Sequence, residues 1–194
     1  MKYKIHMISI IIATTLLSGC APVLLLGGGT AINAAHDRRT VGTFIEDQNI
    51  EIKARDAIYK DKELEKQSNI SVTSYNGIVL ISGQTPTAEL RARTEDYVRE
   101  VAKVKKVHNE LTIASPSSIG ARSTDTLVTG KVKTNLLKVK NHENFDPTRV
   151  KVVTENGTVY LMGLLKPAEA DDVVSVVRQV GGVQRVVKMF EYIN

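Results

Sequence analysis

The sequence predicts an α+β protein made of two tandem αββαβ units, each a three-stranded mixed sheet covered by two helices. Three observations carry that prediction. A long stretch of the chain is repeated, each copy holds an Asn-Gly pair between alternating apolar residues, and amphipathic segments of helical spacing recur at matching places. Ile70–Gly83 lies over Val150–Gly163 at a constant offset, with identities at Val72/Val152, Asn76/Asn156, Gly77/Gly157, Val79/Val159 and Gly83/Gly163. Ala88-Glu89 continues into Ala168-Glu169, and after a one-residue slip Val101, Val104 and Val107 fall on Val180, Val183 and Val186. Upstream, Lys53-Ala54 and Ile58 match Lys131-Val132 and Leu136. Two hairpins alike by chance would not also share a helix and a last strand, so one structural unit is present twice.

Each copy reads the same way. An amphipathic helix comes first, over residues 46–60 and 125–139. Two β-runs then flank Asn76-Gly77 or Asn156-Gly157, and Asn-Gly between alternating apolar residues signals a tight hairpin because both central positions need positive φ. A second helix is opened by Pro86 or Pro167, where a missing N–H costs nothing. A final strand, Val107–Ile113 or Arg185–Ile193, closes the unit, and its helical connection implies a right-handed crossover. The expected layout is a removable leader at 1–19, an N-terminus and tether at 20–42, a first domain at 43–114, a linker at 115–124 and a second domain at 125–194. The linker, Ser115–Thr124, is polar and contains Pro and Gly. The tether is apolar and Gly-rich.

The N-terminus sets the compartment. Lys2 and Lys4 precede an apolar run from Ile5 to Leu17 without acids, then Ser18-Gly19, the layout of a secretory signal peptide and short for a bilayer span. Leu17-Ser18-Gly19-Cys20 resembles the lipobox of bacterial lipoproteins, in which the cysteine is acylated. Cys20 is the chain's single cysteine, so no internal disulfide can form, and acylation would cap a thiol otherwise exposed to oxidation. By that resemblance, Ala21 in place of aspartate after the cysteine favours the outer membrane, with the protein facing the periplasm. Without residues 1–19 the chain keeps 24 basic and 21 acidic residues, a formal net of +3. So weak a field does not suit a dedicated nucleic-acid binder, and export argues the same way.

Catalytic signatures are missing. His36, His108 and His142 are scattered with no Cys or carboxylate at metal-ligand spacing. No Gly-x-Ser-x-Gly elbow, Walker loop or His-Glu-x-x-His occurs, and Gly27-Gly28-Gly29 lacks the flanking residues of a phosphate cradle. Glu169, Asp171 and Asp172 sit in the first turn of a helix, where carboxylates complement the helix dipole. A non-enzymatic protein without a cofactor is expected.

The segment from Asp125 to Val139 is the informative one. Val128, Val132, Leu136 and Val139 recur at i, i+4, i+8 and i+11, which makes a core-facing stripe. At about 100° per residue, Leu127, Gly130, Thr134 and Leu137 fall on the opposite side. Lys131, Lys133, Lys138 and Lys140 flank them. A solvated face normally carries charge rather than two leucines and a glycine. An apolar ridge with a basic collar suits an anionic lipid surface. The same face also suits packing against the other copy, or docking an envelope protein. In the first copy Glu51, Asp56 and Asp61 stand among the basic residues and neutralise the collar.

The αββαβ order, the Asn-Gly hairpin, the glycine closing the second strand and the Val-spaced last element resemble the BON domain. Two such domains behind a lipobox are similar to a family of outer-membrane lipoproteins associated with division and envelope stress. The likeness runs through Val41-Gly42-Thr43, Lys53-Ala54-Arg55 and Glu155–Leu164. It implies binding of anionic phospholipid, of the phosphatidylglycerol or cardiolipin type, chiefly through the first helix of the second domain. It implies a role in envelope integrity, at the division site among other places, with outer-membrane assembly proteins as candidate partners. Carried over, the lipid-contacting set is Leu127, Val128, Gly130, Lys131, Lys133, Thr134, Leu137, Lys138 and Gly163. The family carries tryptophan where Leu127 stands, and Trp favours the headgroup level whereas Leu only buries area. Gly163 matches a family glycine, and a tight backbone position accounts for it equally well.

Overall fold

A computed structural model of the chain describes residues 38–139, His142 and residues 145–194. The leader, Cys20, the tether up to residue 37 and Lys140 lie outside the described residues. Thr40 opens the first helix, α1 (Val41–Lys60), its hydroxyl accepting the N–H of Thr43. Asp61 ends α1 and at once caps the short α2 (Lys62–Gln67), accepting from the N–H groups of Glu63 and Leu64. Then come β1 (Asn69–Tyr75), β2 (Ile78–Thr85), α3 (Ala88–Arg99), β3 (Lys106–Asn109) and β4 (Thr112–Ile113). The second copy runs α4 (Ile119–Leu136), a 3-10 turn at Pro147–Arg149, β5 (Lys151–Glu155), β6 (Thr158–Leu165), α5 (Pro167–Arg178) and β7 (Arg185–Tyr192).

Both sheets are mixed, as predicted. β1 pairs antiparallel with β2, and β2 pairs parallel with β3 and β4. β6 is central in the second sheet, antiparallel to β5 and parallel to β7. The hairpin turns have positive φ at Asn76 (53°), Gly77 (78°), Asn156 (46°) and Gly157 (70°), which is the reason for Asn-Gly at each.

Several boundaries differ from the sequence reading. α1 starts at Val41, so residues 41 and 42 belong to the helix and not to the tether. α4 starts at Ile119, with Ser118 as its cap, so much of the expected linker is helical; a Ser-rich run before a helix reads as loop when its hydroxyls are in fact capping. Pro86 stands outside α3, which Thr87 caps, whereas Pro167 does occupy the first turn of α5. The last strand of the first copy is split into β3 and β4 around Glu110 and Leu111, and Leu111 turns inward to the core.

Side-chain alternation explains the packing. In β2, Val79 and Ile81 join Ile50, Ala54, Ile58, Leu90 and Val98 under the helices. In β6, Val159 and Leu161 do the same with Val128, Val132, Leu136, Val173 and Val177. The residues between them point the other way: Leu80 meets Tyr75, Tyr160, Met162 and Met189 in a third cluster built from both copies. Each central strand is therefore buried on both faces, which is why it reads as a continuous apolar run. The two sheets pack back to back. Polar contacts bound this interface: Asn76 donates to Glu191 at 2.8 Å, Gln84 to Glu155 at 2.5 Å, and Lys151 pairs with Glu51 at 2.8 Å.

Candidate functional site

The orientation of α4 is fixed from beneath. The Asp125 carboxylate, buried in mid-helix, accepts the N–H of Asn156 at 2.8 Å and of Gly157 at 3.0 Å. The Thr129 hydroxyl donates to Thr154 at 2.7 Å. The first copy repeats the device: Asp47 accepts from Asn76 at 2.7 Å and Gly77 at 2.9 Å. A helix-borne carboxylate thus holds the hairpin turn in both units, and with that side of α4 pinned to the sheet, the opposite side must face outward.

What faces outward is apolar. Ile119, Leu127 and Leu137 are 76%, 66% and 63% exposed. On a wheel of about 100° per residue they fall within one 80° sector together with Ser123, Gly130 and Thr134. The ridge runs about 27 Å from Ile119 to Leu137 at ~1.5 Å per residue. Its hydroxyls are turned back on the helix: Ser123 donates to the Ile119 carbonyl and Thr134 to the Gly130 carbonyl, both at 3.0 Å. Each satisfies itself internally, so the face offers fewer groups to water than its composition implies. A side chain at Gly130 would meet nothing within 4 Å. Packing does not require this mid-helix glycine, and it leaves the backbone there uncovered.

Cations border the ridge on both sides. Arg122 and Lys133 lie along one edge, Lys131 and Lys138 along the other, all exposed and none in an ion pair among the described residues. Asp125 is the one acid between residues 119 and 138, and it is buried. No helix among the described residues is long and apolar enough to cross a membrane.

Leu127, Gly130, Lys131, Lys133, Thr134, Leu137 and Lys138 come together on this face. Val128 does not: it is 3% exposed within the second core, because it belongs to the stripe that α4 turns toward the sheet. Gly163 is buried in β6, opposite Phe190. A side chain there would press to 2.9 Å on the Arg149 carbonyl, so its smallness serves packing. Ile119, Arg122 and Ser123 join the ridge and its edge because the helix begins more than one turn before Asp125; steps of four and eight residues back from Leu127 reach Ser123 and Ile119.

The contrast with the first copy is smaller than a charge count implies. Glu51 is turned inward to Lys151 and the Ser74 N–H, and Asp61 is bonded to Arg93. Neither lies on the outer face of α1, where Val41, Ile45, Ile52 and Tyr59 are exposed, but the third acid, Asp56, is exposed and falls within about 60° of Val41 on the same wheel.

Comparison with known proteins adds a family. The sequence profile of the BON domain matches residues 46–115 and 124–194. The chain is 34% identical over 185 residues to a Haemophilus influenzae protein named outer membrane lipoprotein DolP, which covers 94% of this chain and 93% of that one. It is 34% identical over 158 residues to a protein of Actinobacillus pleuropneumoniae named 21 kDa hemolysin, covering 81% of this chain and 80% of the relative. Among solved structures, the C-terminal domain of CdsD, the structural protein of the type III secretion system of Chlamydia trachomatis, aligns with a TM-score of 0.30 at 21% identity, over 76% of this chain and 67% of that one.

Proposed function

The chain belongs to the BON-domain family, and on that premise we propose that it is an outer-membrane lipoprotein, acylated at Cys20 and facing the periplasm, whose second domain binds anionic phospholipid through the outer face of α4. The observation that carries this reading is the exposed ridge of Ile119, Leu127 and Leu137, its hydroxyls bonded inward, between two rows of cations that form no ion pair among the described residues. A helix of this kind lies in the plane of an interface, its apolar stripe in the acyl boundary and its cations at the headgroups. Each cation near an anionic surface contributes about 1 kcal/mol. The acyl anchor supplies residence at the membrane, and α4 supplies the choice of lipid. Strong similarity to a protein named as an outer-membrane lipoprotein supports the location.

A mature chain carrying Cys20→Ser isolates the contribution of α4. It should bind phosphatidylglycerol vesicles and largely ignore phosphatidylcholine ones. Leu127→Glu with Leu137→Glu should remove that binding while the fold survives. Vesicle binding that persists in the double glutamate variant at physiological salt would sink the lipid assignment for this helix. Unaltered vesicle binding with loss of a captured envelope protein would instead assign the face to protein docking.

A further inference from the structure

We infer that the first domain holds a separate anion site, a basic cleft beside the Asn76-Gly77 turn that takes a phosphate group. A cleft of about 180 Å³ lies between α1 and that turn, with Lys103 and Lys105 on its wall. An adjoining recess of about 240 Å³ shares Glu46, Ile50 and Lys103 with it and adds Lys53. Lys53, Lys103 and Lys105 thus line two adjoining recesses, and the Lys105 ammonium donates to the Asn76 side-chain oxygen at 3.3 Å. Of the two acids there, the Asp47 carboxylate is already occupied by Arg39 at 2.6 Å and by the turn's N–H groups. Glu46 reaches Lys103 only at 3.6 Å, with both side chains at least half exposed. Lys53 has no ion-pair partner among the described residues.

The second copy shows that Lys103 and Lys105 are not demanded by the fold, whereas Lys53 is matched there by Lys131. Lys103 has φ 75°; among the described residues the other non-glycine positions with positive φ are the turn residues Asn76 and Asn156. The matching residue in the second copy is Gly182, φ 103°, the residue type that backbone region favours. Lys105 likewise corresponds to Gln184. Each lies over the hairpin glycine, within about 3 Å of where its side chain would start. The first copy thus keeps a lysine in a conformation suited to glycine and sets a second lysine where glutamine fills the same space. A strained residue held in place beside a cleft is the pattern of a binding position, and compact ammonium charges on flexible stems suit a phosphate. The site is distinct from α4, so it stands or falls independently of the lipid reading above.

The test uses the mature Cys20→Ser chain, also carrying Leu127→Glu and Leu137→Glu to silence α4, and follows amide shifts at constant ionic strength. Inorganic phosphate should shift the amides of Gly77, Lys103 and Lys105, saturably. Substituting the second copy's residues, Lys103→Gly with Lys105→Gln, should leave the protein folded and weaken the response at least tenfold. Lys53→Gln with Lys105→Gln, which leaves the backbone at 103 untouched, should weaken it too. Micelles of short-chain phosphatidylglycerol distinguish the source: the same amides shifting there would identify a lipid headgroup, and a response to inorganic phosphate alone would identify a soluble phosphate compound. No saturable shift with either probe, or equal shifts in both variants and the parent, overturns the proposal.

Discussion

The Arg38 guanidinium grips the Glu169 carboxylate at two points, Nη1 to Oε2 at 2.7 Å and Nη2 to Oε1 at 2.8 Å. Arg38 also donates to the Leu164 carbonyl at 3.0 Å, and Glu169 reaches back to accept the Lys166 N–H at the start of α5, at 2.8 Å. The next residue turns the other way. Arg39 pairs with Asp47 and lies over the Tyr75 ring at 3.7 Å. Two consecutive arginines therefore fasten the segment before α1 to both domains at once.

This pair makes stability depend on acid. The Arg38 hydrogen bonds hold the buried Glu169 carboxyl below its ordinary pKa. A carboxylate with a depressed folded pKa adds stability above its unfolded value, about 4.3, and loses it as pH falls through the folded one. Glu169→Gln should cost about 1–3 kcal/mol at pH 7. It should also flatten the fall in stability below roughly pH 4.3. Urea unfolding at pH 7 and pH 3 checks both; a constant difference between the proteins at the two pH values would refute the assignment.

Asp125 offers a sharper test of how α4 is held. Asp125→Ala leaves the Asn156 and Gly157 N–H groups without their carboxylate; a hydrogen bond to a charged group contributes about 1.5–3 kcal/mol net, and two that share one carboxylate do not add in full. A loss of about 2–3 kcal/mol is expected. Asp125→Asn keeps one acceptor oxygen and should lose about half as much. Denaturant titration of the three proteins decides it; equal stability of the alanine and wild-type chains would show the carboxylate to be incidental.

That carboxylate also shows what the sequence conveyed. The repeat, the Asn-Gly hairpins and the alternation in β2 and β6 were legible because each is local in sequence. By spacing alone Asp125 stands at the start of the expected helix, yet it is a mid-helix residue reaching a turn 31 positions away; the clue is its match to Asp47, six residues before Lys53 as Asp125 is before Lys131. The start of α4 at Ile119 was hidden because Ser, Thr and Gly there mimic a loop, their hydroxyls bonding back along the helix. Val128 entered the surface set although its own spacing assigned it to the core. The back-to-back sheets leave only a weak trace, Leu80, Tyr160 and Met162 at positions a solvated face would fill with polar residues.

Those residues predict how the halves behave apart. The second domain has its own helix-covered core, so a fragment of residues 115–194 should unfold cooperatively. It would also bare Tyr160, Met162 and Met189, so it should self-associate as concentration rises, where the full chain does not. In the full chain, Leu80→Ala opens the shared cluster and should cost about 2–5 kcal/mol. Sedimentation of the fragment and thermal unfolding of the variant are the measurements. A fragment that stays monomeric and as stable as the intact protein would mean that the sheet-to-sheet contact contributes little.

The collar of α4 predicts a salt dependence with its own signature. Lys131 and Lys133 border opposite edges of the ridge, so both meet the headgroups when Leu127 and Leu137 insert. Removing both as Lys131→Gln with Lys133→Gln should cost about 2 kcal/mol, near thirtyfold in vesicle affinity. Raising salt should erase most of the difference between this variant and the parent, because the Debye length contracts from about 10 Å at 0.1 M to about 3 Å at 1 M. The apolar share should survive salt. Leu127→Trp tests it from the other side: a ring that settles at the headgroup level should tighten binding, with tryptophan emission shifting to the blue on vesicles. Because Leu127 is exposed, the substitution should leave stability within about 0.5 kcal/mol. Tryptophan emission unmoved by anionic vesicles that still bind the chain would place the contact elsewhere than on α4.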